Sequence, residues 1–474
     1  MHLKYGKVTA EIRAELEAVV GAKNIWINEE KLESCSRDET TTLRIDEHFM
    51  PEVVLAPEDA EQVSAILKIA NKYLLPVTPR GGGTGLSGGA LPVFGGLVLS
   101  DERMNRILEI DEKNLAAVVQ PGVITGDINT AAAEKDLAYV GYPMSLLSCH
   151  IGGNVAENAG GGSAVKYGVT MRYVLGLEAV LPTGEIVRLG GKLMKDVTGY
   201  SLKELLIGSE GTLGYITEIT LRLQPLIRNR AALLAQFPSS AKAVAAVPRM
   251  MTQGSVLPSS IEYIDSYCFQ KACSYLNESL PCDSVEAVLL IEVDGGTEEA
   301  LDSDLESAGT ILAVEGASEI YVADTRSSRE RIWALRRSID EALRVTDPIQ
   351  TDEDIVVPVS QISALVEGLH ELERRHGLRI VNFGHAGDGN MHSTLLKPQR
   401  LSTEEWESLS TELEWEIFRL VDSMGGVISG EHGIGSKRKK YFMELCPETK
   451  LLMMRKIKEA LDPNGIMNPG KIFD

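Results

Sequence analysis

Apolar positions follow one rhythm in the first half of this chain and another beyond residue 225. Ile12, Leu16, Val19 and Val20 recur at helical spacing over residues 9–20, which predicts a packing helix. MPEVVLAP (50–57) is a short apolar run closed by Pro57, and reads as a buried strand. Residues 58–73 form a helix in this reading. Val63, Ile66, Leu67 and Ala70 share one face, and acids occupy the first turn, where they complement the helix dipole. LPVTP and GLVLS (96–100) are strands flanking a glycine-rich stretch. AAVVQPGV (116–123) is strand and turn, 127–135 a helix, and 174–189 a hairpin turning at Pro182, Thr183 and Gly184. Residues 195–225 hold a helix, a turn over 208–214, and a strand alternating Ile219, Leu221 and Leu223 with Thr220 and Arg222.

Beyond 225 glycine-rich loops become sparse and helices lengthen. Strands over 231–237, 256–264 and 287–293, separated by helices over 241–253, 265–278 and 297–313, predict an α+β unit on a mostly antiparallel sheet. A helix over 324–344 buries Ile332, Leu335, Ile339 and Leu343. Another, 360–376, precedes strand RIVNF (379–383). The last hundred residues read as helical apart from two loops, and no repeat of fixed period is present.

At 474 residues the chain is long enough for two or more domains, each with its own core. Its net charge of −21, from 68 acids against 47 bases, gives a well-solvated surface and argues against nucleic acid, whose binding rests on Lys and Arg. None of the six cysteines forms a C-x-x-C pair, so no iron–sulfur cluster or zinc ribbon is expected. Scattered thiols without a secretion signal suggest a cytoplasmic protein, and no apolar run reaches the length of a membrane span.

The stretch PRGGGTGLSGG (79–89) cannot pack a core, so something must approach its backbone closely. Exposed amides in such a run form an anion-binding concavity, which suits a phosphate. It contains G-x-G-x-x-G, but the dinucleotide fingerprint requires a helix to start within it. Here Pro92, Gly95 and Gly96 break any helix, so the loop belongs to a different architecture. A second glycine-rich block, IGGNVAENAGGG (151–162), reads either as a flexible linker or as a second cofactor-facing loop. Its apolar flanks favour the loop. Three of the eight histidines fall in GHAGDGNMH and SGEHGIG. His385 and His392, with Glu431, have the chemistry of a divalent first-row metal site, yet their spacing alone fits histidines hydrogen-bonded in polar turns as well. Arg336 fits either a surface arginine with a buried stem or a cleft arginine that grips a carboxylate.

Taken together, PRGGGTGLSGG, IGGNVAENAGG, GSEGTLG, GHAGDGNMH, SGEHGIG and NPGKIF, in that order, resemble the FAD-linked oxidases of the vanillyl-alcohol oxidase type. Within these the chain looks like the family of D-lactate dehydrogenase, the glycolate oxidase flavoprotein subunit and D-2-hydroxyglutarate dehydrogenase. The resemblance implies an α+β fold: a two-part FAD-binding domain over 1–225, a substrate cap over 226–420 with a metal loop at 384–392, and a helical C-terminal segment, 421–474, returning to the flavin. It implies that Pro79, Arg80, Gly81, Gly82, Gly83, Thr84, Gly85 and Ser87 line the FAD diphosphate. Pro143, Gly152, Gly153, Asn158, Gly161 and Gly162 would flank the ring system and ribityl chain, and Glu210, Gly211, Thr212 and Ile216 would complete the site. His150 is the candidate for covalent attachment, but the subfamily usually binds FAD noncovalently, so no covalent bond is expected.

By the same resemblance, His385, His392 and Glu431 match ligands of a divalent metal (zinc, manganese or iron(II)), His432 the catalytic base, and Arg336 the clamp on the substrate carboxylate. The implied activity is oxidation of a D-2-hydroxy acid, D-lactate first, to the 2-keto acid, with hydride passing to flavin N5. Electrons would go on to an electron-transferring flavoprotein or an iron–sulfur subunit, through which the protein could sit peripherally at a membrane. TDEDIVVP, with Asp352 and Glu353, departs from relatives that carry a lysine before this segment, and argues against a dicarboxylate substrate. The alternatives are a glycolate-oxidising subunit, a broad D-2-hydroxyacid dehydrogenase, or a non-redox flavoprotein like alkylglycerone-phosphate synthase.

Overall fold

The structure is a computed structural model, and it describes residues 5–40, 49–282 and 284–473. The chain divides into two compact units. One takes Met1–Gly160, Val169–Leu226 and Glu431–Asp474; the other takes Gly161–Gly168 and Ile227–Gly430.

The first unit holds two main sheets. In the smaller, Val53–Leu55 and Val77–Arg80 both run parallel to Leu97–Ser100, and Ile25–Trp26 adds an antiparallel edge. Parallel neighbours require a crossover, normally a helix. Between Val77–Arg80 and Leu97–Ser100 the crossover is instead the glycine loop, with no helix in it, as the breakers at 92, 95 and 96 predict. Helix Ala60–Tyr73 buries Val63, Ile66, Leu67 and Ala70 against this sheet, and its N-cap Asp59 accepts the Gln62 amide. The larger sheet is antiparallel, ordered Ile107–Asp111, Ala116–Val119, Tyr215–Arg222, Val174–Val180, Ile186–Gly190.

The second unit is built on one seven-stranded antiparallel sheet, ordered Glu319–Ala323, Asn229–Phe237, Ala287–Gly295, Ser260–Asp265, Arg379–His385, Asn390–Leu396, Gln350–Val356. Helices Ser266–Leu276, Arg326–Arg337 and Ile339–Thr346 cover one face, packing Phe269, Leu335 and Ile339 onto Leu234, Ile264 and Phe383. Helices Ser240–Thr252, Glu298–Val314 and Ile362–His376 pack on the other.

Three details differ from the sequence reading. The helix expected over 324–344 is two helices that meet at Ser338, which ends the first and begins the second. The second glycine block is not a loop throughout. Ile151–Glu157 is helical, anchored by buried Ile151 and Val155, and ends at Asn158 in the left-handed region. GHAGDGNMH is a β-hairpin rather than a loop, and Gln350–Val356, which the sequence reading left without an element, is a strand.

Candidate functional site

In the first unit the glycine loop is held open by its own sequence. Arg80 ends its strand and its guanidinium folds back over Gly83, whose φ is +71°, so a side chain at Gly83 would collide with it. A Cβ at Gly85 would meet nothing within 4 Å, which leaves that backbone accessible. Arg80 Nη1 and Ser87 Oγ are buried and have no hydrogen-bond partner among the described residues. Orphaned donors beside open glycine amides are what a diphosphate would satisfy, so these residues fit the FAD that the motifs imply. Thr84 lies half-buried in the same loop.

The GSEGTLG turn packs against the start of this loop. A Cβ at Gly211 would lie 3.0 Å from the Pro79 ring, the Thr212 hydroxyl donates to the Ser209 carbonyl at 2.7 Å, and Ile216 is buried in the strand that follows. Glu210 also has a structural part. Its carboxylate accepts the amides of Ile434 and Gly435 at 2.8 and 2.6 Å, and so ties the segment after Glu431-His432. The amides of Ser436 and Lys437 donate to the Ser87 carbonyl, which joins that segment to the glycine loop. Within helix Ile151–Glu157, Gly152 sits hard against Pro121, while Gly153 has open space. Asn158 Oδ1 caps the Met171 amide, and Pro143 is half-buried. His150 Nδ1 lies 2.7 Å from Asp101 Oδ1; burial lowers the imidazole's proton affinity, but the Asp101 carboxylate outweighs it and the net shift is upward.

A Cβ at Gly433 would collide with the Glu157 carboxyl, so the chain passes directly over that group. Burial, then the charges of Glu210 and Asp38, push Glu157 well above the ordinary carboxylate range, while burial holds Lys471 down to about 7. A carboxyl whose proton is held more tightly when folded contributes stability below the unfolded pKa and loses it as pH rises through the folded one. Glu157→Gln, which fixes the neutral form, should therefore match the native protein in Tm at pH 4 and exceed it by about 2–4 °C at pH 8. Equal pH dependence in the two proteins would contradict this assignment.

The second unit places its chemistry on one face of the seven-stranded sheet. In the hairpin, His385 pairs with Asn390 and Phe383 with His392, so both histidines project to the same side from adjacent strands. The hairpin solves the convergence that seven residues of spacing leave open. Both imidazoles are buried, their rings stand edge to face with centroids 5.4 Å apart, and each has a ligand nitrogen within 4.8 Å of the other's. Glu262, opposite His385 on the neighbouring strand, accepts from His385 Nδ1 at 2.7 Å and from Arg336 Nε at 2.7 Å. Burial raises the Glu262 carboxyl, but the electrostatic pull and hydrogen bonds of His385 and Arg336 more than reverse this and hold it at about 2. Arg336 is buried, with its guanidinium 4.9 Å from the Phe383 ring centroid, so it is no snorkelling surface arginine. Gly162 lies against Glu262, where a Cβ would come within 2.7 Å of Oε1. Gly161 directly precedes it in the chain.

Asp354 and Glu262 are the residues that sequence reasoning missed. Asp354 pairs in register with His392, and accepts from Asn390 Nδ2, the Ser429 hydroxyl and the Gly430 amide at 2.7, 2.8 and 2.9 Å. It thus fixes the two residues that immediately precede Glu431. Along Gln350–Val356, Asp352 and Asp354 share the face of His392, whereas Glu353 points to the opposite side. Each missed acid carried a signal: Glu262 is an acid between apolar Ile261 and Tyr263 in a short strand, and Asp354 stands within an acidic run in a strand. In the chain that follows, Glu431 Oε1 lies 3.8 Å from His432 Nε2. Two buried imidazoles, one of them backed by a carboxylate, are donors that suit a divalent first-row metal.

Comparison with known proteins gives the same family as the motifs. A family described as FAD binding domain matches residues 51–190, and one described as FAD linked oxidases, C-terminal domain, matches residues 226–472. The chain is 38% identical to the glycolate oxidase subunit GlcD of Bacillus subtilis (strain 168), across 98% of this chain and 97% of that one. It is 35% identical to the D-lactate dehydrogenase of Anaerostipes hadrus, across 99% and 98%. Among solved structures, the 4-ethylphenol oxidase from Gulosibacter chungangensis matches with a TM-score of 0.79 at 21% identity, over 99% of both chains, and shares the fold. Family matches in both halves and relatives above 30% identity along almost the whole length place this chain in the FAD-linked oxidase family.

Proposed function

We propose that this FAD-linked oxidoreductase oxidises a small D-2-hydroxy acid, D-lactate first, to the 2-keto acid and passes the electrons to a partner protein. The observation that carries the reading is the buried cluster of Arg336, His385 and His392 on one sheet face, organised by Glu262. A buried guanidinium beside two buried imidazoles suits an anionic substrate with an adjacent hydroxyl.

FAD would be held by Arg80, Ser87 and the glycine amides, and when bound supplies the two-electron acceptor. A divalent ion would be held by His385, His392 and Glu431, and when bound supplies Lewis acidity toward the substrate hydroxyl. The protein's own residues do the rest. Arg336 receives the carboxylate on the guanidinium edge that Glu262 leaves open, which fixes the substrate's orientation. His432 takes the hydroxyl proton on a ring nitrogen, a role suited to imidazole near neutral pH. Asp354, through Ser429 and Gly430, steadies the chain that carries Glu431 and His432. Asp352 and Asp354 on the face of His392 disfavour a second substrate carboxylate, whereas Glu353, turned away, plays no part in this. Because the sequence has no cysteine pair for a cluster of its own, electrons pass to a separate acceptor, an electron-transferring flavoprotein or an iron–sulfur subunit.

Relatives named for glycolate and for D-lactate keep a glycolate-oxidising subunit as the second reading. Anaerobic mixing of the purified flavoprotein with D-lactate, L-lactate, glycolate and D-2-hydroxyglutarate separates them. D-lactate should bleach the flavin fastest and L-lactate should leave it oxidised. Bleaching by L-lactate alone, or by none of the four, would overturn the proposal.

A further inference from the structure

Resting on the functional reading above, we propose that Glu262 is the positioning residue that sets the metal-binding nitrogen of His385 and the carboxylate-binding edge of Arg336 together. It is fully buried in the centre of the sheet, and its two oxygens are divided between these groups. Oε1 meets His385 Nδ1 at 2.7 Å and the Ser260 hydroxyl at 3.0 Å, and Oε2 meets Arg336 Nε at 2.7 Å. Its place is fixed by the backbone: it pairs in register with His385, and the chain at Gly162 closes over it where only a hydrogen fits.

The chemistry follows from what a carboxylate can accept. An ionised carboxylate has no proton to give, so the His385 nitrogen facing it must be the protonated one. That leaves Nε2 with the lone pair, the form a metal needs. On the other oxygen, engagement of Nε fixes the guanidinium plane and leaves both Nη groups outside the pair, where they can meet a substrate carboxylate side by side. One buried anion thus sets the tautomer of a ligand and the orientation of a clamp. Neither partner can change its state without disturbing the other's hydrogen-bond partner.

Glutamine at this position cannot serve both. Its amide has one accepting oxygen and one donating nitrogen, so either His385 or Arg336 faces a donor. Glu262→Gln in the full-length, FAD-loaded protein should therefore weaken Zn2+ binding by about 10–100-fold, measured by calorimetry after chelator treatment. The KM for D-lactate should rise by about tenfold in the same variant, while FAD content stays at the native level. A role confined to packing would lower Tm and leave both numbers unchanged. Should the glutamine variant fail to accumulate, Glu262→Asp keeps the charge but is too short to reach both partners, and the same two measurements apply. The proposal stands only if Zn2+ affinity and KM both shift; either one unchanged, or a native protein that binds no Zn2+, overturns it. A native protein that binds Zn2+ but whose flavin no 2-hydroxy acid bleaches would instead sink the functional reading.

Discussion

His432→Ala should retain bound FAD and lose flavin reduction by D-lactate, with the single-turnover rate falling about 10²–10⁴-fold, the usual worth of a positioned general base. The substrate hydroxyl is a very weak acid, so at neutral pH its proton leaves only to a base already in place. The expected phenotype is specific. The visible flavin spectrum is unchanged because the residues that fit the diphosphate, Arg80 and Ser87, are untouched. Rapid mixing under anaerobic conditions reads the rate directly, and a variant reduced within tenfold of the native rate would remove His432 from the mechanism. Raising the pH should partly restore the variant, since solvent hydroxide can then substitute for the missing imidazole.

Metal loss should have an effect of similar size. In His392→Ala the protein should lose its divalent ion, measured by elemental analysis, and flavin reduction should fall by about 10³-fold, the factor that about 4 kcal/mol of Lewis-acid stabilisation supplies. The imidazole is buried on the same sheet face as His385, so its removal leaves no neighbouring nitrogen on that strand to take over. Chelator treatment of the native protein should reproduce the loss, and added Zn2+ or Mn2+ should reverse it there but not in the variant. Full metal content in the variant, or a native rate after chelation, would exclude His392 as a ligand.

The fold was legible to the extent that local pattern decides it. Val63, Ile66, Leu67 and Ala70 mark their helix because 3.6-residue spacing produces one apolar stripe, and the structure buries that stripe. The helix-free crossover at the glycine loop was equally readable, because Pro92, Gly95 and Gly96 act on their own backbone and need no distant partner. Gln350–Val356 was not readable as a strand. QTDEDIV is acidic, and it is a strand because Asn390–Leu396 pairs with every residue of it. The hairpin of His385 and His392 was missed for the same reason, since glycines and polar residues give no alternation to count. At 324–344 the apolar stripe continues through Ser338, so its period gives no sign of the break there.

By itself, the sequence determined which residue types were available: a glycine loop unable to pack a core, a set of histidines and carboxylates near the C-terminus, and an arginine with two possible environments. These are properties of residues and their near neighbours, and they sufficed to indicate the family and the cofactor class. Tertiary structure decided the partnerships. Strand pairing brings Glu262 opposite His385, 123 positions away in sequence, and helix packing lays Arg336 on the other oxygen of the same carboxylate. It also committed Glu210 to the amides of Ile434 and Gly435, which no spacing rule could have shown. The physical reason is that a buried charge is stable only beside its counterpart, and which counterpart it meets depends on sheet register and helix packing, neither of which is a local property of the chain.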